Sequence, residues 1–411
     1  MIGEDRCRLP DGWSGSALGL DGDFAMNLYP RSTHGSPRRT IVPAMTNLHS
    51  HAFQRGFAGL AESRHSGQDD FWSWRRQMYR SLDQLDPDDM LAVATMLYVE
   101  LVEAGYARVC EFHYVHNDPR GNPYDAPATM ANAIIEAARV AGIGLTLLPV
   151  LYTSSGFGGR PPEVGQRRFV MEMDDYLGLA QDLDARSVAE GFQTGTALHS
   201  PRAVRAEEID TVVAARPSGP IHIHVAEQMK EVEASLAWSG RRPVEWLLDH
   251  VALDERWTLV HATHMTDAEA GALARSGATV ALCPTTEGNL GDGFFNAAPF
   301  FEHGGRFGIG SDSNVCTDPR EELRLLEYGR RLIARRRVLG VDARRPHAGA
   351  WAWLAAAAAG AAGAGVPTGS LGRDTRADFA VLEDDHPTLV EKDGDALLDA
   401  LVFGGGGPMI R

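Results

Sequence analysis

The run Ile41-Val42-Pro43-Ala44-Met45-Thr46-Asn47-Leu48-His49-Ser50-His51-Ala52-Phe53-Gln54 ends an apolar stretch in two histidines one residue apart. In an extended strand, side chains two apart leave the same face, so His49 and His51 converge on one point. If the strand belongs to a parallel barrel, that point lies at the C-terminal mouth, where such folds keep their chemistry. Two histidines at this spacing also meet by chance, so the rest of the chain has to decide.

Working outward, the spacing predicts further strands over 107–114, 145–152, 192–199, 221–225, 258–261, 279–283 and 306–309. Helices are predicted between them, among them 87–104, 126–141, 206–215, 243–250 and 267–276. The first has acidic residues in its opening turn and Gly105 just past its last, which are start and stop signals. Strands alternating with helices imply a parallel sheet, and eight of them imply a closed (β/α)8 TIM barrel. We therefore expect the barrel over 41–365, with 1–40 and 366–411 forming a small β domain from both ends. Short pieces such as Ser16-Ala17-Leu18-Gly19-Leu20 supply edge strands to it. The tail is expected to hold helices over 318–339 and 349–364, a turn at Gly372-Arg373-Asp374 leading to a strand, and a glycine loop at 404–407.

Composition bounds the classes. The 411 residues are 44% hydrophobic and 23% charged, as in an ordinary globular protein with a large core. A formal charge of −16 disfavours non-specific nucleic-acid binding. The longest apolar tract, 351–366, is too short for a bilayer, and no basic segment followed by an apolar core opens the chain. Cys7, Cys110, Cys283 and Cys316 lie far apart and read as buried thiols in a reducing compartment, hence a cytoplasmic protein.

Polar residues end several of the predicted strands. The fifth reads Ile221-His222-Ile223-His224-Val225-Ala226-Glu227, the sixth ends in His261, and the eighth runs into Gly310-Ser311-Asp312. Neutral imidazoles with a carboxylate suit a divalent ion, zinc or iron, with a position left for water. Such an ion lowers the pKa of its water from ~15.7 to about 7, and a separate carboxylate acid completes what C=N hydrolysis needs. His222 sits deeper than His224 and reads as a core histidine; His113 and His116 flank Tyr114 and read the same way, and His264 and His303 read as loop residues.

This pattern resembles the amidohydrolase superfamily in its mononuclear deaminase branch: H-x-H on strand one, H-x-x-E on strand five, His on strand six, Asp on strand eight. The lysine of binuclear members is absent from strand four, which ends Ala197-Leu198-His199. The resemblance implies metal ligands His49, His51, His224 and Asp312. It makes Asp312 the base toward water, Glu227 a proton shuttle to an imine nitrogen, and His261 the residue that orients the nucleophile.

Longer stretches are similar to the formimidoylglutamate deiminase family: Asn47-Leu48-His49-Ser50-His51-Ala52-Phe53-Gln54-Arg55, the segment 71–79, 110–118, and Cys283-Pro284-Thr285-Thr286-Glu287-Gly288-Asn289-Leu290-Gly291-Asp292-Gly293. That resemblance implies hydrolysis of N-formimino-L-glutamate to N-formyl-L-glutamate and ammonia in histidine degradation. It implies substrate contacts from Gln54, Arg75, Tyr114, His199 and Arg202, and a homodimer. A dicarboxylate also asks independently for arginine, which binds carboxylate through two parallel hydrogen bonds. Arg75 falls in the connection after strand one and Arg202 just after strand four, both on the catalytic side. Pro201 stands where a leucine-like residue is expected before the arginine and restricts Ser200. The chain stops at Arg411, so the terminal β domain is expected to be reduced. The alternatives are a deaminase of guanine, cytosine or an adenosine derivative, whose pocket would favour stacking over two arginines, and a non-catalytic barrel, which would lack metal ligands.

Overall fold

The computed structural model describes residues 6–10, 12–14, 17–21, 24–29, 39–63, 70–341, 343, 345–372, 375–405 and 407–411. Ser16, Arg373 and Asp374, on which the expected edge strand and tail turn partly rest, lie outside the described residues, as does Gly406 of the glycine loop.

Eight parallel strand positions close into a barrel. In chain order they are Met45–Ser50, Tyr106–His113, Gly144–Leu151, Gln193–Thr194 continued by Thr196–Leu198, Ile221–Val225, Trp257–His261, Thr279–Leu282 and Arg306–Ile309. The eighth returns to the first through Ile309 opposite Asn47. The fourth strand is broken at Gly195, where a Cβ would stand 2.5 Å from Leu148 and 2.8 Å from Pro220. The strands carry apolar residues on successive positions and are almost wholly buried, as barrel strands covered by helices must be.

The opening run is not one strand. Thr40–Pro43 leaves the barrel and pairs antiparallel with Phe379–Leu382 and parallel with Arg6–Leu9, in a four-stranded sheet completed by Gly12–Ser14. Ala44 breaks the run, its amide donating to the Asp378 carbonyl at 3.1 Å. A continuous apolar sequence conceals this break because both halves are buried. A second terminal piece pairs Ala17–Asp21 with Phe24–Tyr29.

Helix Pro87–Ala104 starts and stops where its sequence says. The Asp86 carboxylate accepts the Asp89 amide at 2.8 Å, and Gly105 takes the left-handed conformation with φ 103°. The alanine-rich helix Ala348–Gly363 packs on barrel strands one and eight. Its small residues permit the approach: a Cβ on Gly363 would fall 2.8 Å from Leu48, and one on Gly308 3.1 Å from the Cα of Gly360. Cys7, Cys110 and Cys283 are buried, whereas Cys316 is half-buried, contrary to the expectation of four buried thiols.

Candidate active site

The strand ends at the C-terminal mouth converge as the histidine spacing requires. Nε2 of His49 lies 3.1 Å from Nε2 of His51 and 3.0 Å from Nε2 of His224. Asp312 Oδ1 stands 3.4 Å from His49 Nε2 and 3.3 Å from His51 Nε2. All four residues are buried, and their ligand atoms lie within 4.8 Å of one another.

The second ring nitrogens explain which tautomer faces inward. His51 Nδ1 lies 3.0 Å from the Phe112 carbonyl and His224 Nδ1 2.8 Å from the His199 carbonyl, so each Nδ1 carries the hydrogen. Their Nε2 lone pairs therefore point at His49 and at a carboxylate oxygen. Burial, reinforced by neighbouring imidazoles, holds His49 and His224 well below the usual histidine range. Burial also lowers His51, against an opposing pull from Asp312. Lone pairs and a carboxylate packed this closely repel unless a cation stands among them. The donor set, three imidazoles and one carboxylate, fits a divalent ion of the zinc class.

Strand eight delivers Asp312 through a tightly sewn turn. The Asp312 amide donates to the His49 carbonyl at 2.9 Å, and the His51 amide donates to the Asp312 carbonyl at 3.0 Å. The Asn47 side chain donates to Ser311 Oγ at 2.6 Å and accepts the Ser311 amide at 3.0 Å; Asn314 donates to the His51 and Asp312 carbonyls, each at 3.0 Å. These bonds hold Asp312 at φ 47° and Asn314 at φ 59°. Ala226, His261 and Ala262 also have positive φ, at 51°, 66° and 48°. Non-glycine residues in this region cost on the order of 1–3 kcal/mol each and collect at working sites. The bend at Ala226 is what turns Glu227 into the mouth.

His261 Nε2 lies 3.7 Å from Asp312 Oδ2 and 3.7 Å from Glu227 Oε1, while its Nδ1 lies 3.2 Å from Glu287 Oε1. Burial disfavours its charged form, but Glu227, the Glu287 hydrogen bond and Asp312 outweigh that and push it up to about 10. Burial pushes Glu227 up to about 7, His261 pulling it back and Asp312 raising it further. An imidazolium beside a carboxyl poised near neutrality is an acid–base pair suited to proton transfer.

The cavity above this centre is lined by Gln54, Arg75, Tyr114, His199 and Arg202 together with His51, His224, Glu227, His261 and Asp312. All five sequence-assigned substrate residues thus meet the centre. Gln54 lies on the 3-10 turn Ala52–Phe57, not on strand one; its Nε2 donates to the Tyr114 hydroxyl at 2.9 Å and its buried Oε1 has no partner among the described residues. Arg75 sits on helix Phe71–Leu82, not in a loop, and donates to the Tyr79 hydroxyl. Arg202 reaches the cavity despite Pro201, its Nε 3.9 Å from Glu231 Oε2.

His222 faces the Gly363 carbonyl at 2.8 Å and His116 the Val150 carbonyl at 3.0 Å, away from the ligand cluster. Sequence reasoning gave Glu287 no role, although it falls in the family-like stretch 283–293 that follows strand seven. It also missed the walls Trp74, Tyr79, Tyr152 and Phe169, which come from connections far apart in sequence.

The chain is 48% identical to the formimidoylglutamate deiminase of Pseudomonas aeruginosa over 413 aligned residues, 99% of this chain and 91% of that protein. It is 28% identical to a 5-methylthioadenosine/S-adenosylhomocysteine deaminase of Natronomonas pharaonis over 69% of this chain and 61% of that one. A crystal structure of an amidohydrolase from Brucella melitensis superposes with TM-score 0.92 at 45% identity, covering 97% of this chain and 89% of that one. A zinc-bound adenosine deaminase from Xanthomonas campestris shares the fold, with TM-score 0.77 at 19% identity over 99% of this chain and 90% of that one. A model described as "Amidohydrolase family" matches residues 40–406, and the chain belongs to that family.

Proposed function

We propose that this protein hydrolyses N-formimino-L-glutamate to N-formyl-L-glutamate and ammonia, a step of histidine degradation, using one divalent metal ion. The near full-length identity to a formimidoylglutamate deiminase carries the reading. Two arginines in the cavity beside a deaminase-type centre support it chemically, because the substrate carries two carboxylates.

His49, His51, His224 and Asp312 would hold the ion, zinc by preference for this donor set and iron as the alternative. The ion, when bound, supplies the Lewis acidity that makes water a nucleophile near neutral pH. Asp312 accepts a proton from the attacking water. Glu227, about half protonated near pH 7, gives a proton to the imine nitrogen. As the C–N bond breaks, Asp312 passes the proton it took from water to that nitrogen, the new hydroxyl returns its proton to Glu227, and ammonia leaves. His261 orients the nucleophile through Nε2. Arg75 and Arg202 bind the carboxylates, and Gln54, Tyr114 and His199 bound the formimino group. The reading includes a homodimer in the cytoplasm, the latter in keeping with cysteines spaced far apart in sequence.

An ammonia-release assay on metal-loaded protein tests the proposal. Turnover of N-formimino-L-glutamate is expected; turnover of guanine, cytosine or 5-methylthioadenosine with none of that substrate would overturn it.

A further inference from the structure

Trp72 gathers three cations about one indole. The guanidinium carbon of Arg75 lies 5.3 Å from the ring centroid, that of Arg202 5.9 Å, and Lys230 Nζ 4.5 Å. The negative face of an indole attracts a cation within about 6 Å. Trp72 is half-buried in the first turn of helix Phe71–Leu82, and its amide donates to Asp70 Oδ1 at 3.0 Å. It does not line the cavity, whereas both arginines do.

Like charges so close repel one another and ordinarily draw carboxylates between them. Among the described residues, the one carboxylate within ion-pair range of any of the three is Glu231, 3.9 Å from Arg202. Arg202 Nε is buried without a hydrogen-bond partner. The cluster carries a surplus of positive charge and unspent donors beside the cavity, in a protein whose formal charge is −16.

We propose that Trp72 is a positioning residue for a dicarboxylate substrate, with Lys230 as a third cation that draws the carboxylates in. The indole holds Arg75 and Arg202 side by side on its π system, with the guanidinium donors that do not face Tyr79 or Glu231 left for two carboxylates. Lys230 is exposed beside them and adds long-range attraction. The inference rests on the formimino-glutamate reading and deepens it by explaining how two arginines on separate elements are kept in register without an anion.

Steady-state kinetics of Trp72→Leu, Trp72→Phe and Lys230→Met test it, together with binding of glutarate, a dicarboxylate with no reacting group, by calorimetry. Trp72→Leu should raise KM about tenfold with kcat within about twofold, and weaken glutarate in parallel. Trp72→Phe, which keeps a ring face, should move KM only about two- to threefold. Lys230→Met should lower kcat/KM at low ionic strength, the loss shrinking in about 0.5 M salt. Unchanged KM and glutarate affinity in Trp72→Leu, or a fall in kcat with KM constant, would overturn the assignment. Should Trp72→Leu fail to fold, Trp72→Phe and Lys230→Met decide alone, unchanged KM and salt dependence counting against it. If the wild-type protein does not turn over N-formimino-L-glutamate, the functional reading fails. Glutarate binding still judges Trp72 in that case.

Discussion

Glu287 Oε1 lies 3.2 Å from His261 Nδ1 and also accepts the Cys283 amide at 3.0 Å, so one carboxylate ties an imidazole to the end of strand seven. The bond fixes the ring's orientation and favours its charged form. Replacing Glu287 with Gln is expected to reduce kcat by about 10- to 100-fold, the range seen when an orienting partner is removed. Metal content, measured by atomic absorption, should stay near wild type, because His261 lies outside the four-residue ligand cluster. Full kcat in Glu287→Gln would deny it an orienting role.

Glu227 is the proposed proton shuttle and stands apart from that cluster. Glu227→Ala should lower kcat by about 10²- to 10⁴-fold while the protein still binds its ion. Loss of the metal from this variant would contradict the assignment.

Arg202→Ala should act chiefly on binding. Deleting a charged partner of a carboxylate costs about 1.5–3 kcal/mol, roughly a 10- to 150-fold rise in KM. A comparable fall in kcat at unchanged KM would place Arg202 elsewhere in the reaction.

Gly310 approaches His49 more closely than any side chain allows. A Cβ there would stand 2.8 Å from both the Cβ and the carbonyl oxygen of His49 and 2.9 Å from its nitrogen. Gly310→Ala should therefore cost about 1–3 kcal/mol in stability and displace a ligand strand. Thermal melts and metal titration would register both effects, and a variant indistinguishable from wild type in both would refute this packing argument.

Chelation should abolish ammonia release and lower the melting temperature, since an ion that binds only the folded state stabilises by about 4 kcal/mol at a thousandfold excess over its Kd. Restoring zinc should recover both. Persistent activity in protein shown to be metal-free would defeat the metal-dependent mechanism.

The metal ligands were legible because their signal is local: His49 and His51 share a strand face, and His224 and Asp312 end strands whose order the alternation had already set. Arg75 and Arg202 were legible as candidates, although only the fold brings them to one indole. Glu287 and Trp72 were not, since a glutamate after a strand and a tryptophan in a helix acquire meaning only from what packs against them. The break at Ala44 was hidden for a related reason. Periodicity reports burial, and Thr40–Pro43 and Met45–Ser50 are both buried, in different sheets.

That divided run has a consequence for how the chain is made. The strand bearing His49 is tethered at its start by a segment whose antiparallel partner is Phe379–Leu382, and its far edge waits for Ile309. During synthesis from the N-terminus, the histidine pair emerges early; its strand meets Tyr106–His113 soon afterwards but waits for Ile309 until most of the chain has left the ribosome. Contacts of such sequence separation are slow to close. The ion is therefore expected to join late, after the two ends of the chain have met.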